Sequence, residues 1–427
     1  MSAPPAPGTP LDLVFLTQTF PRTEEDTAGP FIRDLARALV RGGDRVRVLA
    51  PHTAGLRAAW SEQGVEIETF RYAPESWEVL GYGRSLQADE TIKGKAGLVA
   101  PLYALAARRA VRRALGARRP HLVQAHWIVP NAVSVAGTTG DVPFAIGLHG
   151  SDVFLAEKRG VRVAARRALR KACLLTGCSP ELVERVARLG PLAEVRGGPG
   201  ISRVIPYGVD TRAFAPDRAR RAAWRERLSI PADAPLLLGV GRMATKKGFQ
   251  VLIDALPALF AAHHEAHVVL AGGGDRLDEF RRACTPWAGQ VHFPGSVLRD
   301  TLPDLYRAAD LFVLPAVHDA KGNVDGLPNV ILEAMASGLP VVATAVSGIP
   351  LAVEHGRTGL LLGENDVAGL AAALRGLLDE PSTGLAMGGQ GRAKAERELT
   401  WDAVAAAYRR AYVAALNMDT AGEAPRR

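Results

Sequence analysis

The residues best able to do chemistry fall into three groups. In the first, Gly239, Gly241, Arg242, Lys246, Lys247 and Gly248 belong to and follow the apolar run PLLLGVGR. Glycines let the backbone approach a ligand closely, and fixed cations can hold a diphosphate. A basic surface loop would look the same locally. In the second, Asp325-Gly326-Leu327-Pro328-Asn329-Val330-Ile331-Leu332-Glu333 puts one carboxylate in a loop and another eight residues on, in a helix. Peptide N–H groups at the start of that helix can receive an anion. Glu333, about two turns in, can accept from sugar hydroxyls or satisfy nearby backbone. In the third, His149-Gly150-Ser151-Asp152 follows the strand-like run PFAIGL. Neither a Walker A loop nor a complete dinucleotide fingerprint is present.

Each group sits at the end of an apolar strand, so the elements around them matter. Leu11–Leu16, RVRVLAP, HLVQAHW, PFAIGLHG, CLLTGCS and ISRVIPYGVD read as strands in the first half. Helices are expected from Pro30 to Gly42–Gly43, with Phe31, Leu35 and Leu39 on one face, and around Val161–Leu169. The second half repeats the rhythm: PLLLGVGR, HVVLAGGG, VHFPG, LFVLP and PVVAT as strands, separated by helices. Near-continuous apolar strands alternating with helices predict parallel sheets covered on both faces, with ligands beyond their carboxyl ends.

The expected architecture is α/β. A Rossmann-like domain spans residues 1–205 and a second spans 206–400. An amphipathic helix covers 401–416, and a frayed tail 417–427. The length of 427 residues suits two domains, and 48% hydrophobic residues exclude global disorder. Three cysteines cannot staple such a chain, and Cys173 and Cys178 read as core residues. No apolar stretch is long enough to span a bilayer, and the start does not read as a signal peptide, so the expectation is a soluble protein of a reducing compartment. Ten histidines without tight Cys/His/acid spacing suggest no metal site.

GRMATKKG, AGGGDR, LYRAADLFVLPA, DGLPNVILEAMASGLPVVAT, SGIPLAVEHGRTGLLL and the earlier LHGSD, in this order along the chain apart from the last, resemble the family-4 (group 1) retaining glycosyltransferases of the GT-B fold. That resemblance implies two facing Rossmann-like domains, a nucleotide-sugar donor in the cleft between them, and a last helix that crosses back to the first domain. It implies that Arg242 and Lys247 hold the donor diphosphate and stabilise its leaving charge. Glu333 matches the glutamate that binds donor ribose hydroxyls. Asp325 takes the position usually held by a longer glutamate near the donor sugar, with Gly326 and Leu327 beside it. Gly241, Asn329 and Val330 line the nucleotide, and Gly29, in place of a double glycine, lies near the phosphates. His149 meets the donor sugar and its phosphates, and Asp152 helps orient sugar or acceptor. Leu351 replaces a frequent glutamate.

The implied reaction transfers a sugar from a UDP or GDP type of donor to an acceptor hydroxyl, with retention and front-face attack. No tightly bound cofactor is expected, and Mg2+ is an optional companion of the nucleotide. A sugar-nucleotide epimerase, a glycan phosphorylase or a non-catalytic nucleotide-binding protein are the alternatives. Acceptors could be a carbohydrate, a glycolipid or a small molecule, in surface polysaccharide or glycolipid synthesis.

Charge bears on the acceptor. Residues 1–205 hold 28 Lys and Arg against 19 Asp and Glu, whereas the remainder holds 24 against 25. The excess concentrates in Arg108, Arg109, Arg112, Arg113, Arg118, Arg119 and in Arg162, Arg166, Arg167, Arg170, Lys171, with Leu102 and Leu105 on another helical face. Solvated helix charge explains this, as does peripheral contact with an anionic membrane from the cytoplasmic side. Without a recognised reading module, nucleic acid is not an expected partner.

Overall fold

A computed structural model describes residues 9–21, 29–81, 90–195 and 198–418. The chain forms two compact units, Met1–Ile205 with Trp401–Arg427, and Pro206–Thr400.

The first unit is built on β1 (Asp12–Leu16), β2 (Arg45–Pro51), β3 (Ala59–Glu62), β4 (Val65–Phe70), β5 (Leu122–His126), β6 (Phe144–Leu148), β7 (Leu174–Gly177) and β10 (Ile201–Val204). The two-residue strands β8 (Glu194–Val195) and β9 (Gly198–Pro199) pair apart from it. The sheet order is β10-β7-β6-β5-β1-β2-β4-β3, parallel except for the β3–β4 hairpin. Strands β1, β5 and β6 are buried along their whole length, Asp12, Gln124 and His126 included, as strands covered on both faces are. The order reverses between β1 and β5, so the chain leaves adjacent strands on opposite sides there.

The helix Pro30–Arg41 begins with a proline at its first turn, after Gly29 at φ +69°. Its buried face is Ile32, Leu35, Ala36 and Leu39. Phe31, expected on the core stripe, is one position off that face and turns toward the site below. A 28-residue helix, Glu90–Ala117, carries the arginine run and places Val99, Tyr103, Ala107, Ala110, Val111 and Ala114 in the core. The last helix, Trp401–Met418, belongs to this unit: Tyr412 donates to Gln124 Oε1 at 2.7 Å, and Arg409 pairs with Asp44 at 3.2 Å. Residues 419–427, most of the expected frayed tail, lie outside the described residues.

The second unit has β11 (Leu236–Val240), β12 (His267–Ala271), β13 (Val291–Gly295), β14 (Leu311–Leu314), β15 (Val341–Thr344) and β16 (Gly359–Leu362), all parallel, in the order β13-β12-β11-β14-β15-β16. This is the doubly wound order of dinucleotide-binding sheets, with its switch point between β11 and β14. Two helices, Val367–Asp379 and Pro381–Glu398, complete its cover. Cys173, Cys178 and Cys284 are all buried and unbridged. Among the described residues, no helix is long and apolar enough to cross a membrane.

Candidate functional site

In the second unit the two chemical motifs leave the two strands that flank the switch point. After β11, Gly239 and Gly241 bring the chain against its neighbours: a Cβ at Gly239 would lie 2.8 Å from Leu270 Cδ2. Gly248 is the tightest point. Its φ is +69°, and a Cβ there would lie 1.6 Å from the Pro315 carbonyl oxygen. That close approach fixes the lysine turn Thr245–Lys247 against the loop that follows β14.

The consequence is an ion cluster. Lys247 Nζ lies 2.6 Å from Asp325 Oδ2, and Lys246 Nζ lies 2.5 Å from Asp325 Oδ1. Burial alone would raise the Asp325 carboxyl, but the charges of Lys247 and Lys246 overrule it and hold it well below the usual carboxylate range. Asp325 is therefore a fixed anion and cannot serve as an acid near neutral pH. Lys246, one of the basic cluster singled out in the sequence, was not expected on Asp325, because adjacent residues in a chain rarely reach the same partner. Only the turn geometry allows it. Arg242 Nη2 reaches both oxygens of Asp275 at 2.7 and 3.0 Å and stays 45% exposed. Arg242 is open to solvent, whereas Lys247 is only 13% exposed against Asp325.

Asp325, Gly326 and Leu327 precede the helix Asn329–Ala336, whose first turn has no side-chain cap. The Ile331 N–H donates to the Pro328 carbonyl at 3.1 Å, and among the described residues Asn329 Oδ1 has no hydrogen-bond partner at that end, where Val330 also lies. Glu333, on the second turn, accepts from the Tyr306 hydroxyl at 2.8 Å. Tyr306 also reaches the Val330 carbonyl at 3.2 Å and is fully buried. Burial and the neighbouring Glu333 push its phenol well above the usual range, so it remains a donor. Tyr306 was not singled out from sequence: it lies 27 residues from Glu333, on another helix.

In the first unit, Gly29 caps the helix Pro30–Arg41 after the loop that follows β1. A Cβ there would meet Thr19 Cγ2 at 2.8 Å. His149 follows β6 and lies among aromatic rings, with Trp127 at 4.6 Å and Phe31 at 4.9 Å between centroids. Burial, then the neighbouring His126, pushes its imidazole well below the ordinary value, so it is neutral at neutral pH. Asp152 faces the backbone of the same turn. Its carboxylate is 2% exposed and takes the N–H groups of Ile128 (2.9 Å), Gly150 (3.0 Å) and His149 (3.3 Å). Those oxygens accept from the backbone, so Asp152 shapes the histidine turn. Burial raises it to about 6 against those hydrogen bonds.

The basic runs divide into paired and exposed side chains. Arg113 and Arg118 pair with Glu68 and Glu66, Arg119 with Asp141, and Arg108 and Arg166 donate to carbonyls. Arg109 and Arg112 remain exposed, as do Arg162, Arg167, Arg170 and Lys171. Leu98, Leu102 and Leu105 are 68, 50 and 43% exposed and, by helical spacing, line up with Arg109 and Arg112. Among the described residues no group of three or more His, Cys, Asp or Glu side chains is arranged to hold a metal.

Comparison with known proteins agrees with this geometry. Residues 27–208 match the "Glycosyl transferase 4-like domain" family, and residues 234–380 match "Glycosyl transferases group 1". The chain is 36% identical over 213 residues to a GDP-mannose-dependent alpha-(1-6)-phosphatidylinositol monomannoside mannosyltransferase of Mycobacterium tuberculosis. That match covers 49% of this chain and 55% of the relative, so the chain spans about half the length of that protein. It is 31% identical over 415 residues to a D-inositol 3-phosphate glycosyltransferase of Kineococcus radiotolerans, covering 89% of each. The fold is similar to that of sucrose-phosphate synthase from Thermosynechococcus elongatus, with a TM-score of 0.73, 22% identity, and 94% and 100% of the two chains covered. With the motifs at the switch point and both family matches in chain order, the chain belongs to the group 1 (family 4) glycosyltransferases of the GT-B fold.

Proposed function

We propose that the chain is a retaining glycosyltransferase that moves a sugar from a nucleotide-diphosphate donor to an acceptor hydroxyl. The observation that carries this reading is the switch point of the second sheet, where the Arg242–Lys247 turn and the Asp325–Glu333 segment leave neighbouring strands. Arg242 and Lys247 take the diphosphate, and Glu333 takes the ribose hydroxyls. The bond from the anomeric carbon to the diphosphate oxygen breaks and the bond to the acceptor oxygen forms on the same face. The acceptor proton passes to the leaving phosphate. The cations stabilise the charge that develops there. Asp325, held ionised by its two lysines, accepts from hydroxyls of the transferred sugar, and His149 hydrogen-bonds that sugar or its phosphate.

The donor base is a purine or a pyrimidine, GDP or UDP type, with the GDP-mannose dependence of the mycobacterial relative favouring GDP. Mg2+ accompanies the nucleotide without being required. The acceptor is a carbohydrate, a glycolipid or a small polyol. The exposed Leu98-Leu102-Leu105 line running into Arg109 and Arg112 supports contact with an anionic membrane face on the cytoplasmic side.

Calorimetry with GDP-, UDP- and ADP-sugars, followed by product analysis, tests the reading. A transferred glycoside is expected. Interconverted nucleotide sugar, or released sugar 1-phosphate, would instead mean an epimerase or a phosphorylase. Lys247→Ala and Glu333→Ala should each abolish most transfer while leaving the protein folded.

A further inference from the structure

His126 ends β5 and His149 follows β6, and the parallel register sets His126 opposite Gly147. His126 Nδ1 lies 3.0 Å from His149 Nε2. Glycine at 147 makes this possible: a Cβ there would stand 3.0 Å from His126 Nδ1 and 3.4 Å from His149 Nε2. The strand end is held firmly as well, because Asn131 donates to the His126 carbonyl at 2.8 Å and accepts from Tyr103 at 2.6 Å.

Both rings are neutral. Burial pushes His126 to about 3, and His149 is also well below the ordinary value. Two neutral imidazoles bonded through one nitrogen each share a single proton, so one is the donor and the other the acceptor. The remaining nitrogen of His126 favours one of the two. His126 is fully buried, and its Nε2 has no hydrogen-bond partner among the described residues. If His149 donated, His126 would have to carry its own proton on Nε2, as a buried N–H with no acceptor. If His126 donates, Nε2 is a bare lone pair. Buried orphan N–H groups are rarer and costlier than under-satisfied acceptors.

We infer that His126 is a positioning residue: it donates from Nδ1 to His149 Nε2 and thereby fixes His149 as the tautomer protonated on Nδ1. The nitrogen that one ring leaves open sets the proton on the other. This inference rests on the proposed role of His149 in sugar transfer. It deepens that role, because His149 in this tautomer has its only lone pair occupied. In that form it cannot act as the base that removes the acceptor proton.

The test uses the full chain with 15N-labelled histidine, reading which ring nitrogen carries the proton. Wild type should show His149 protonated on Nδ1, bare on Nε2, and unchanged between about pH 5 and 8. His126→Phe keeps a ring but removes the donor. In it His149 should change tautomer population and titrate nearer its ordinary value. Its kcat should fall on the order of 10- to 100-fold, with donor KM changed far less. His126→Asn places an amide donor near the lost Nδ1 and should restore the wild-type tautomer. His149 found protonated on Nε2 in wild type would overturn the inference, as would His126→Phe and His126→Asn giving the same His149 spectrum as wild type. His149→Ala with undiminished transfer would instead overturn the role of His149, whereas the wild-type spectrum tests the histidine pair independently of that role.

Discussion

Tyr306→Phe removes one hydroxyl and no carbon, which isolates the support beneath Glu333. The hydroxyl lies 2.8 Å from Glu333 Oε2 and 3.2 Å from the Val330 carbonyl. A hydrogen bond to an ionised group contributes about 1.5–3 kcal/mol. Glu333 is only half-buried, so water can replace part of what is lost, and the lower end of about 1.5 kcal/mol is the expected effect. If all of it appeared as stability, a unit of this size would melt roughly 3–6 °C lower, at about 2–4 °C per kcal/mol. If all of it appeared in donor binding, affinity would fall roughly tenfold, since about 1.4 kcal/mol is a factor of ten. Calorimetry with a nucleoside diphosphate and, separately, with inorganic pyrophosphate separates the two. Glu333 is assigned to the ribose, so only the nucleoside diphosphate should lose affinity. Equal losses for both ligands, or no change in either affinity or melting, would refute the assignment of Tyr306 as the support of a ribose-binding carboxylate.

Three further outcomes are expected. Gly248→Ala should destabilise the second unit by more than about 2 kcal/mol, since its Cβ would fall 1.6 Å from a carbonyl oxygen at a positive φ; urea unfolding reads this, and a wild-type midpoint would contradict it. The first unit should lose stability in acid. His126 and His149 have folded values lowered below the unfolded one, so their contribution is present above about pH 6.5 and is lost as pH falls, for His126 toward about 3. Asp152, raised to about 6, works in the opposite direction between about pH 4 and 6 and cancels one of the two histidines. The net uptake of about one proton on unfolding gives a slope of about 1.4 kcal/mol per pH unit across that window, measurable from denaturant midpoints and steeper in Asp152→Asn. Finally, Leu102→Asp should weaken flotation with anionic vesicles at low salt while leaving transfer to a soluble acceptor intact; equal flotation of variant and wild type would remove the lipid-facing role of this helix.

Much of the architecture was legible because buried parallel strands must be apolar nearly throughout. LDLVFL, PFAIGL and PLLLGV therefore announced themselves by composition. The β3–β4 hairpin did not: Ala59–Glu62 is an edge strand with mixed residues and no apolar run to mark it. The two helices across 367–398 were not legible either, since their small-residue sequences show a weak stripe. A four-residue spacing assigns Phe31 to the core, but a helix turns 3.6 residues at a time and Ile32 takes that place, leaving Phe31 against His149.

The same division runs through the site. Sequence alone determined the types and order of Arg242, Lys247, Asp325 and Glu333, because glycines and charges set beside apolar strands are recorded in the linear pattern itself. Which partner each group would have was decided by tertiary structure. Lys246 joined Lys247 on Asp325, Tyr306 came under Glu333, Asp152 turned to the backbone, and His126 met His149 across a glycine. Apart from the local turn of Asp152, whose partners lie as few as 2 positions away, these pairings join residues far apart in the chain, 79 positions for Lys246 and Asp325. A linear pattern records the identity of a side chain and the face it occupies; only the packed sheet fixes the few ångströms that turn neighbours into hydrogen-bond partners.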